Sequence, residues 1–354
     1  MKPATTFMKA VTFQQHGDVD QLHVDRVPIP EIGRGEVLVR VKACALNHLD
    51  LWIRQGIPAY RISLPHISGC DIAGVIEQVE DDAEHSSYDL AVGQAVVISP
   101  GLSCWSCPCC LAGKDNLCPS FKILGAHVDG GYAEFVSVPR INVLPIPPVL
   151  TFEQAAAFPL VSVTAWHMVR TLANLQPTET VLVMGAGSGV GSMAIQLANM
   201  IGARVLSTVG TEEKMAKAKE LGVDEVINHH SEDVGQKARD LTDGRGVDVV
   251  IEHIGQRVWK GCFNALARGG RLVTCGATTG GEITIDARSL FSRQLTVMGS
   301  YMGTRTELLR ACTMIERGTI HPVVDRVFPL EEAHAAQNYL LSRKAFGKVV
   351  LAVN

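Results

Sequence analysis

Four cysteines, Cys104, Cys107, Cys110 and Cys118, follow one another at spacings of three, three and eight. Four thiolates on one loop can close a tetrahedral zinc site that leaves no position for water, so the site they imply is structural rather than catalytic. Cys109 is the odd one among five cysteines in residues 104–118, out of ten in the chain. Clustering of this kind in a long chain points to metal binding rather than to a disulfide scaffold. Reduced cysteines without a metal are the plainer alternative, and the spacing suits an iron–sulfur cluster less well.

A second constellation is TVLVMGAGSGVGSMAIQLA, residues 180–198. It reads as buried strand, glycine turn and helix, an arrangement in which backbone N–H groups approach a pyrophosphate at the positive end of a helix. The turn Ala186-Gly187-Ser188-Gly189-Val190-Gly191 departs from strict GxGxxG, but its place at the head of a βα series is the confirming context. The ribose-reading position about 20 residues on falls on Val209, flanked by Thr208 and Gly210. No carboxylate appears before Glu212, while Arg204, Thr211 and Lys214 are candidates to meet a phosphate. Lys214 reads equally as a solvated helix residue. The balance favours NADP(H) over NAD(H).

The elements that must hold these groups come in two rhythms. Residues 1–150 carry short apolar runs at 36–43, 72–77, 95–99 and 132–138, punctuated by Gly and Pro, as in β-rich structure with tight turns. Thr151 with Gln154 three residues later forms a capping box and opens a helix. From about residue 180, strands at 180–184, 204–208, 225–227, 247–252, 270–275 and 295–299 alternate with helices such as 189–201 and 212–221, the pattern of a parallel sheet. A strand at 323–327, a helix from 330 and a strand at 348–353 close the chain. The reading is an α/β protein: a β-rich domain from residues 1–150 and 320–354, carrying the cysteine lobe at 101–118, with a doubly wound domain of residues 151–319 inserted. In such a sheet the strand ends line the dinucleotide crevice. His253, Ile254, Gly276, Ala277, Thr278, Ser300, Tyr301 and Met302 fall at those ends, and no role beyond this follows for His253.

The chain has 354 residues, 47% hydrophobic and 19% charged, with a net charge of -4. That is ample for two packed cores and lacks the basic excess of a nucleic-acid protein. No stretch reads as a signal peptide or membrane span. The expected setting is the cytoplasm, with no nucleic acid and no membrane as partner.

On these motifs the chain resembles the medium-chain dehydrogenase/reductase superfamily over essentially its whole length, in particular zinc-type alcohol dehydrogenases and the related quinone oxidoreductases. The resemblance implies a GroES-like catalytic domain, a Rossmann domain, one structural zinc per chain and a homodimer or homotetramer, often paired through an edge strand such as that near 295–299. The cysteine lobe, with Gly101, Gly113 and Asn116, is similar to that of the alcohol dehydrogenases; the glycine turn is more similar to that of the quinone oxidoreductases. The departures lie at the catalytic metal. The family's Cys-His-Thr-Asp stretch is matched by Asn47-His48-Leu49-Asp50, and its Gly-His-Glu by Gly69-Cys70-Asp71. A third Cys, four residues before a Thr, is matched by Leu160 before Thr164. One soft ligand among Asn47, Cys70 and Leu160 is a poor zinc set. A rearranged site would draw on His48, His66, Asp71 and His127, although His66 and Asp71 also read as ordinary hydrogen-bonded residues, the preferred reading for His66. Asn47-x-x-Asp50-Leu-Trp52 is similar to a stretch of the zinc-free quinone oxidoreductases.

Without a Lewis acid, hydride transfer to a quinone or an α,β-unsaturated carbonyl is easier than alcohol chemistry, because charge spreads to a distant oxygen that hydrogen bonds can stabilise. The expected activity is an NAD(P)H-dependent oxidoreductase of that kind. Asn47 would be the donor, His127 or Tyr132 a proton source, Thr164 would lie under the nicotinamide, and Trp52 would wall the pocket. The alternatives are a zinc-dependent alcohol or aldehyde dehydrogenase with a rearranged site, and a nucleotide-binding protein without turnover. The substrate would be a small carbonyl, quinone or alcohol.

Overall fold

A computed structural model describes residues 6–57, 60–80 and 89–354. The ends of the predicted 1–150 segment at residues 1–5, with residues 58–59 and 81–88, lie outside the described residues. The chain divides into two compact units, Met1–Leu160 with Pro322–Asn354, and Val161–His321. The sequence placed the domain boundary at Thr151. The Thr151–Gln154 capping box is present, but the helix it opens, Phe152–Ala156, packs on strands Glu36–Ala45 and Asp71–Val79. The division accordingly falls after Leu160.

The first unit is built on a seven-stranded sheet. Its order runs Val143–Pro145, Ala95–Ile98, Asp71–Val79, Glu36–Ala45, Lys348–Ala352, Val324–Pro329, with Phe135–Pro139 also pairing with Glu36–Ala45. In the sequence EVLVRVKACA, Val37, Val39 and Val41 supply one buried face, as the two-residue period of a strand requires. Arg40 points out and holds Glu77. A smaller sheet joins His23–Pro28, Phe7–Phe13 and His66–Ile67, and a two-stranded ribbon pairs Gly101–Leu102 with Lys122–Ile123. That ribbon pins both ends of the loop bearing the four spaced cysteines. The strand expected at 132–138 starts later, at Phe135, because residues 130–132 are held by backbone bonds to Ile67, Ser68 and Gly69 instead.

The second unit carries a six-stranded sheet in the order Glu225–Asn228, Arg204–Val209, Thr180–Val183, Val247–Glu252, Leu266–Thr274, Thr296–Gly299, and all five pairings are parallel. Its central strands are buried on both faces and read as near-continuous apolar runs. Helix Gly189–Ile201 occupies the expected residues and is capped by Ser188, whose hydroxyl accepts from Gly191 N at 2.8 Å. Among the described residues no helix is long and apolar enough to cross a membrane.

The glycine turn is tight because of Gly191. A Cβ there would stand 2.2 Å from the Gly185 carbonyl oxygen, a backbone atom that cannot rotate away. Gly191→Ala is therefore expected to lower stability by about 1–3 kcal/mol through overpacking and to lower the thermal midpoint. A variant melting at the wild-type temperature contradicts this packing.

Candidate functional site

In the first unit, Asn47 lies two residues after strand Glu36–Ala45 and precedes helix His48–Gln55, where it is the N-cap. The Asp50 carboxylate reaches back to accept from Asn47 N at 2.7 Å, fixing the turn. The Asn47 amide donates to Asp71 Oδ2 at 2.9 Å and to Cys70 Sγ at 3.3 Å. On the far side, Lys348 from the last strand donates its ammonium to Asn47 Oδ1 at 2.6 Å and Asp71 Oδ2 at 2.9 Å. Lys348 is 4% exposed and Asp71 0%, so each neutralises a charge that water does not reach. The remaining Asp71 oxygen accepts from Leu160 N at 2.8 Å. Asn47 and Asp71 thus meet in a cluster that also takes in Cys70, Leu160 and Lys348. Lys348 escaped the sequence reading because it lies 301 residues from Asn47; a single Lys opening the last apolar run was its only signal.

This donor set does not fit a catalytic zinc. Leu160 offers a backbone N–H, Asn47 directs its amide hydrogens inward, and Asp71 is bound to an ammonium. Burial first, then the charges of Asp71 and Asp50, push the Cys70 thiol well above its ordinary range. The expected rescue ligands are engaged elsewhere. His66 Nε2 lies 3.1 Å from Gly125 O, and its Nδ1 is 3.3 Å from Asp129. Among the described residues, the four spaced cysteines are the one group of His, Cys, Asp or Glu gathered as a ligand set.

That set does fit a metal. The Sγ atoms lie within 4.8 Å of one another, with Cys107–Cys110 at 3.5 Å and Cys104–Cys110 at 3.9 Å. Thiolates on a tetrahedral zinc at 2.3 Å would stand about 3.8 Å apart. Hydrogen bonds from the Ser106 backbone first, then from its side chain and from Cys107 N, draw the Cys104 thiol down to about 6, while burial lifts its neighbour Cys110 to about 12. Cys109 stands outside the set, as its spacing implied.

The other expected groups of the first unit lie in separate surroundings. Trp52 is half-buried one turn along the helix from His48, with ring centroids 6.4 Å apart. His127 Nδ1 accepts from Ile123 N at 2.9 Å, and its ring lies 4.8 Å from Tyr60. Burial lowers its pKa, so the neutral ring carries its proton on Nε2. Tyr132 does not serve as a proton source: it is fully buried and donates to Asp50 Oδ2 at 3.1 Å, and burial together with the Asp50 charge raises its pKa far above normal.

In the second unit Thr164 is buried within helix Pro159–Trp166. The glycine turn, residues 186–191, follows strand Thr180–Val183, and the other expected contacts sit at the carboxyl ends of neighbouring strands. Gly210 and Thr211 follow strand Arg204–Val209, with Thr211 capping the helix that contains Lys214. His253 and Ile254 follow Val247–Glu252, Gly276, Ala277 and Thr278 follow Leu266–Thr274, and Ser300, Tyr301 and Met302 follow Thr296–Gly299. Among the described residues the buried Ser300 hydroxyl has no partner, and with the close-packed turn this fits a polar ligand at the strand ends.

Three expected contacts change role. Thr208 lies inside its strand, fully buried, and its hydroxyl accepts from Gly185 N at 2.9 Å; it holds the turn. His253 Nε2 is 2.9 Å from both Met184 O and Ser188 Oγ, which gives this residue a positioning role the sequence did not supply. Burial lowers its pKa. Arg204 begins its strand rather than ending it, about 16 Å from the carboxyl edge at ~3.3 Å per residue, so it cannot meet a phosphate there.

Residues 33–148 match the model of the alcohol dehydrogenase GroES-like domain, and residues 189–317 match that of the zinc-binding dehydrogenases. The chain is 34% identical to an NAD-dependent alcohol dehydrogenase of Sulfolobus acidocaldarius over 98% of this chain and 100% of that one. It is 29% identical to a crotonyl-CoA carboxylase/reductase of Cereibacter sphaeroides, over 94% and 84%. A crystal structure of an NAD-dependent alcohol dehydrogenase superposes with a TM-score of 0.93 at 45% identity, covering 98% of this chain and 100% of that one.

Removing either partner of the Lys348–Asp71 pair leaves a buried charge unmatched. Lys348→Met and Asp71→Leu are each expected to cost about 3–5 kcal/mol, and the double variant less than their sum, in denaturant unfolding; additive losses would deny the pairing. Burial also lifts the Asp50 carboxyl to about 6 from ~3.9 in an unfolded chain. The folded state holds that proton more tightly. Its contribution to stability is full below about pH 4 and is lost as pH rises through about 6. Asp50→Asn is expected to flatten that part of the stability–pH curve, and a slope the same as wild type rules the contribution out.

Proposed function

This chain belongs to the medium-chain dehydrogenase/reductase superfamily and is an NAD(P)-dependent oxidoreductase of small molecules, and on that premise we propose that it reduces quinones or α,β-unsaturated carbonyls without a catalytic metal. The observation that carries the proposal is the Asn47–Asp71–Lys348 cluster. At the positions matching the family's metal ligands this chain has Asn47, Cys70 and Leu160, one sulfur among them, and Lys348 from the last strand brings a buried cation to Asn47. An alkoxide developing directly on a reacting oxygen is normally stabilised by a Lewis acid. A conjugated acceptor spreads that charge, so hydrogen-bond donors suffice; the Asn47 amide expected in that role is spent on Asp71 and Cys70, which leaves His127 as the donor of this reading. The relative named for crotonyl-CoA, an unsaturated acyl thioester, supports the same class.

A bound nicotinamide supplies the hydride; the protein positions it and its acceptor. The turn at 186–191 with the positive end of helix Gly189–Ile201 grips the pyrophosphate, held in shape by Thr208 and His253. Residues 161–321 form the dinucleotide-binding domain in this reading, with Thr164 beneath the nicotinamide. Lys348 fixes the Asn47 amide. Trp52 walls the acceptor pocket. His127, neutral and protonated on Nε2, donates a hydrogen bond. Cys104, Cys107, Cys110 and Cys118 hold one structural zinc that orders their loop. NADP(H) is taken in preference to NAD(H), on the absence of a carboxylate at the end of strand Arg204–Val209; here the chain departs from its relatives named NAD-dependent. Copies pair along strand Thr296–Gly299, last in its sheet, and the enzyme acts in the cytoplasm.

The relatives named alcohol dehydrogenase favour a second reading, an alcohol or aldehyde dehydrogenase with a rearranged metal site. Metal analysis of the purified protein, beside assays of NAD(P)H oxidation with quinones and enones and of NAD(P)+ reduction with alcohols, separates the two. The expected result is one zinc per chain, lost on Cys118→Ser, and turnover of conjugated acceptors. Two zincs per chain with alcohol oxidation would establish the second reading, and no turnover across both panels would remove both.

A further inference from the structure

At the amino-terminal ends of its parallel strands, the opposite edge from the glycine turn, the second unit gathers arginines. Arg239 lies on helix Val234–Asp240, and Arg293 lies between helix Ala287–Ser292 and the edge strand Thr296–Gly299. Both guanidinium groups donate to the carbonyl oxygen of Leu266, the first residue of its strand, Arg239 at 2.8 Å. Arg239 also donates to Asn264 O at 2.9 Å and to Gly244 O at 3.0 Å. Arg268 donates to Ser292 O at 3.0 Å, and Arg293 to the Ser289 hydroxyl at 3.5 Å. Among the described residues, none of these three arginines is paired with a carboxylate.

Arg239 and Arg293 open on a cavity of about 270 Å³, lined also by Asp233, Gly235, Gln236 and Asn264. That size suits a small ligand, since ordinary ligand pockets start at about 300 Å³. Close packing of helices Val234–Asp240 and Gln256–Ala265 holds its wall: a Cβ on Gly235 would stand 2.9 Å from Gly261 O. Burial first, then the charges of Arg239 and Arg268, lower the pKa of Arg293. Carbonyl oxygens satisfy N–H groups but leave positive charge unmatched, and like charges held together in a recess favour an anion between them. The bonds of Arg239 use three of its five N–H groups, so donors remain. One opposing charge is present. Asp233 is exposed and caps its helix, accepting from Gln236 N at 2.8 Å; it is one carboxylate against two guanidinium groups in the lining.

We propose that this cavity is an anion site separate from the glycine turn, in which Arg239 and Arg293 clamp a phosphate group, free or as a small phosphomonoester. The planar N–H forks of two guanidinium groups match phosphate oxygens. Because Leu266 and Thr274 are opposite ends of one strand, the site lies at the far edge of the sheet from the dinucleotide contacts at 276–278, and the proposal stands apart from the hydride chemistry.

Calorimetric titration of the full-length protein with inorganic phosphate and with glycerol 3-phosphate, NADPH being present to occupy the glycine turn, tests it. Wild type is expected to bind phosphate saturably. Arg293→Gln is expected to weaken that binding about tenfold. Asp233→Asn keeps a capping side chain and is expected to tighten it about threefold by removing the opposing charge. Phosphate should raise the thermal midpoint of wild type and not that of Arg293→Gln. Tighter binding of glycerol 3-phosphate than of phosphate identifies a phosphomonoester as the occupant, and equal or weaker binding identifies the free anion. No saturable binding of either by wild type overturns the proposal. Binding that neither substitution changes overturns it too, by placing the phosphate elsewhere.

Discussion

A carboxylate buried away from water needs a cation brought to it, and the first unit is organised around meeting that demand at Asp71. The cation is Lys348, delivered by the last strand of the chain to the middle of a sheet that begins near residue 36. The β-rich unit must therefore be assembled from both ends of the sequence before its charges balance. The segment between can fold as a second unit because nothing in this pairing requires it. A buried pair of this kind is weak evidence for stability, but it fixes geometry. Asn47, Cys70, Asp71 and Leu160 are each oriented by contacts that trace back to it.

Each unit states its chemistry in a different physical language. In the first, side chains carry the message: an ammonium, a carboxylate and an amide in mutual contact, and a set of sulfurs near tetrahedral spacing. In the second it is mostly backbone. The parallel strands end at one edge, and the turn closes tightly enough that a methyl group at Gly191 would not fit. Thr208, Ser188 and His253 spend their polar atoms on that turn.

Much of this was legible in the residues. Helix Gly189–Ile201, the Thr151 cap and the sulfur set could be read directly, because spacing, capping chemistry and strand–turn–helix order are local properties. The six-stranded parallel sheet followed from the alternation of apolar runs with helices. What could not be read were relations across long separations. Nothing near Asn47 announces Lys348, and nothing in the run from Arg204 to Val209 says which end of the strand faces the ligand edge until the sheet is assembled. Tyr132 and Thr208 looked available because hydroxyls are versatile; the fold gives each a partner, Asp50 and Gly185, that the sequence does not name.

Anyone redesigning the nucleotide preference of this protein would find Thr208 and Gly210 two residues apart and mechanically unequal. Gly210 is half-buried against the His229 and His230 rings, where a side chain would have to displace an exposed imidazole. Thr208 is a rivet between the second strand and the loop that leaves the first. Loosening it would slacken the grip on every dinucleotide alike, so selectivity and affinity can be tuned on separate dials only while that rivet stays in place.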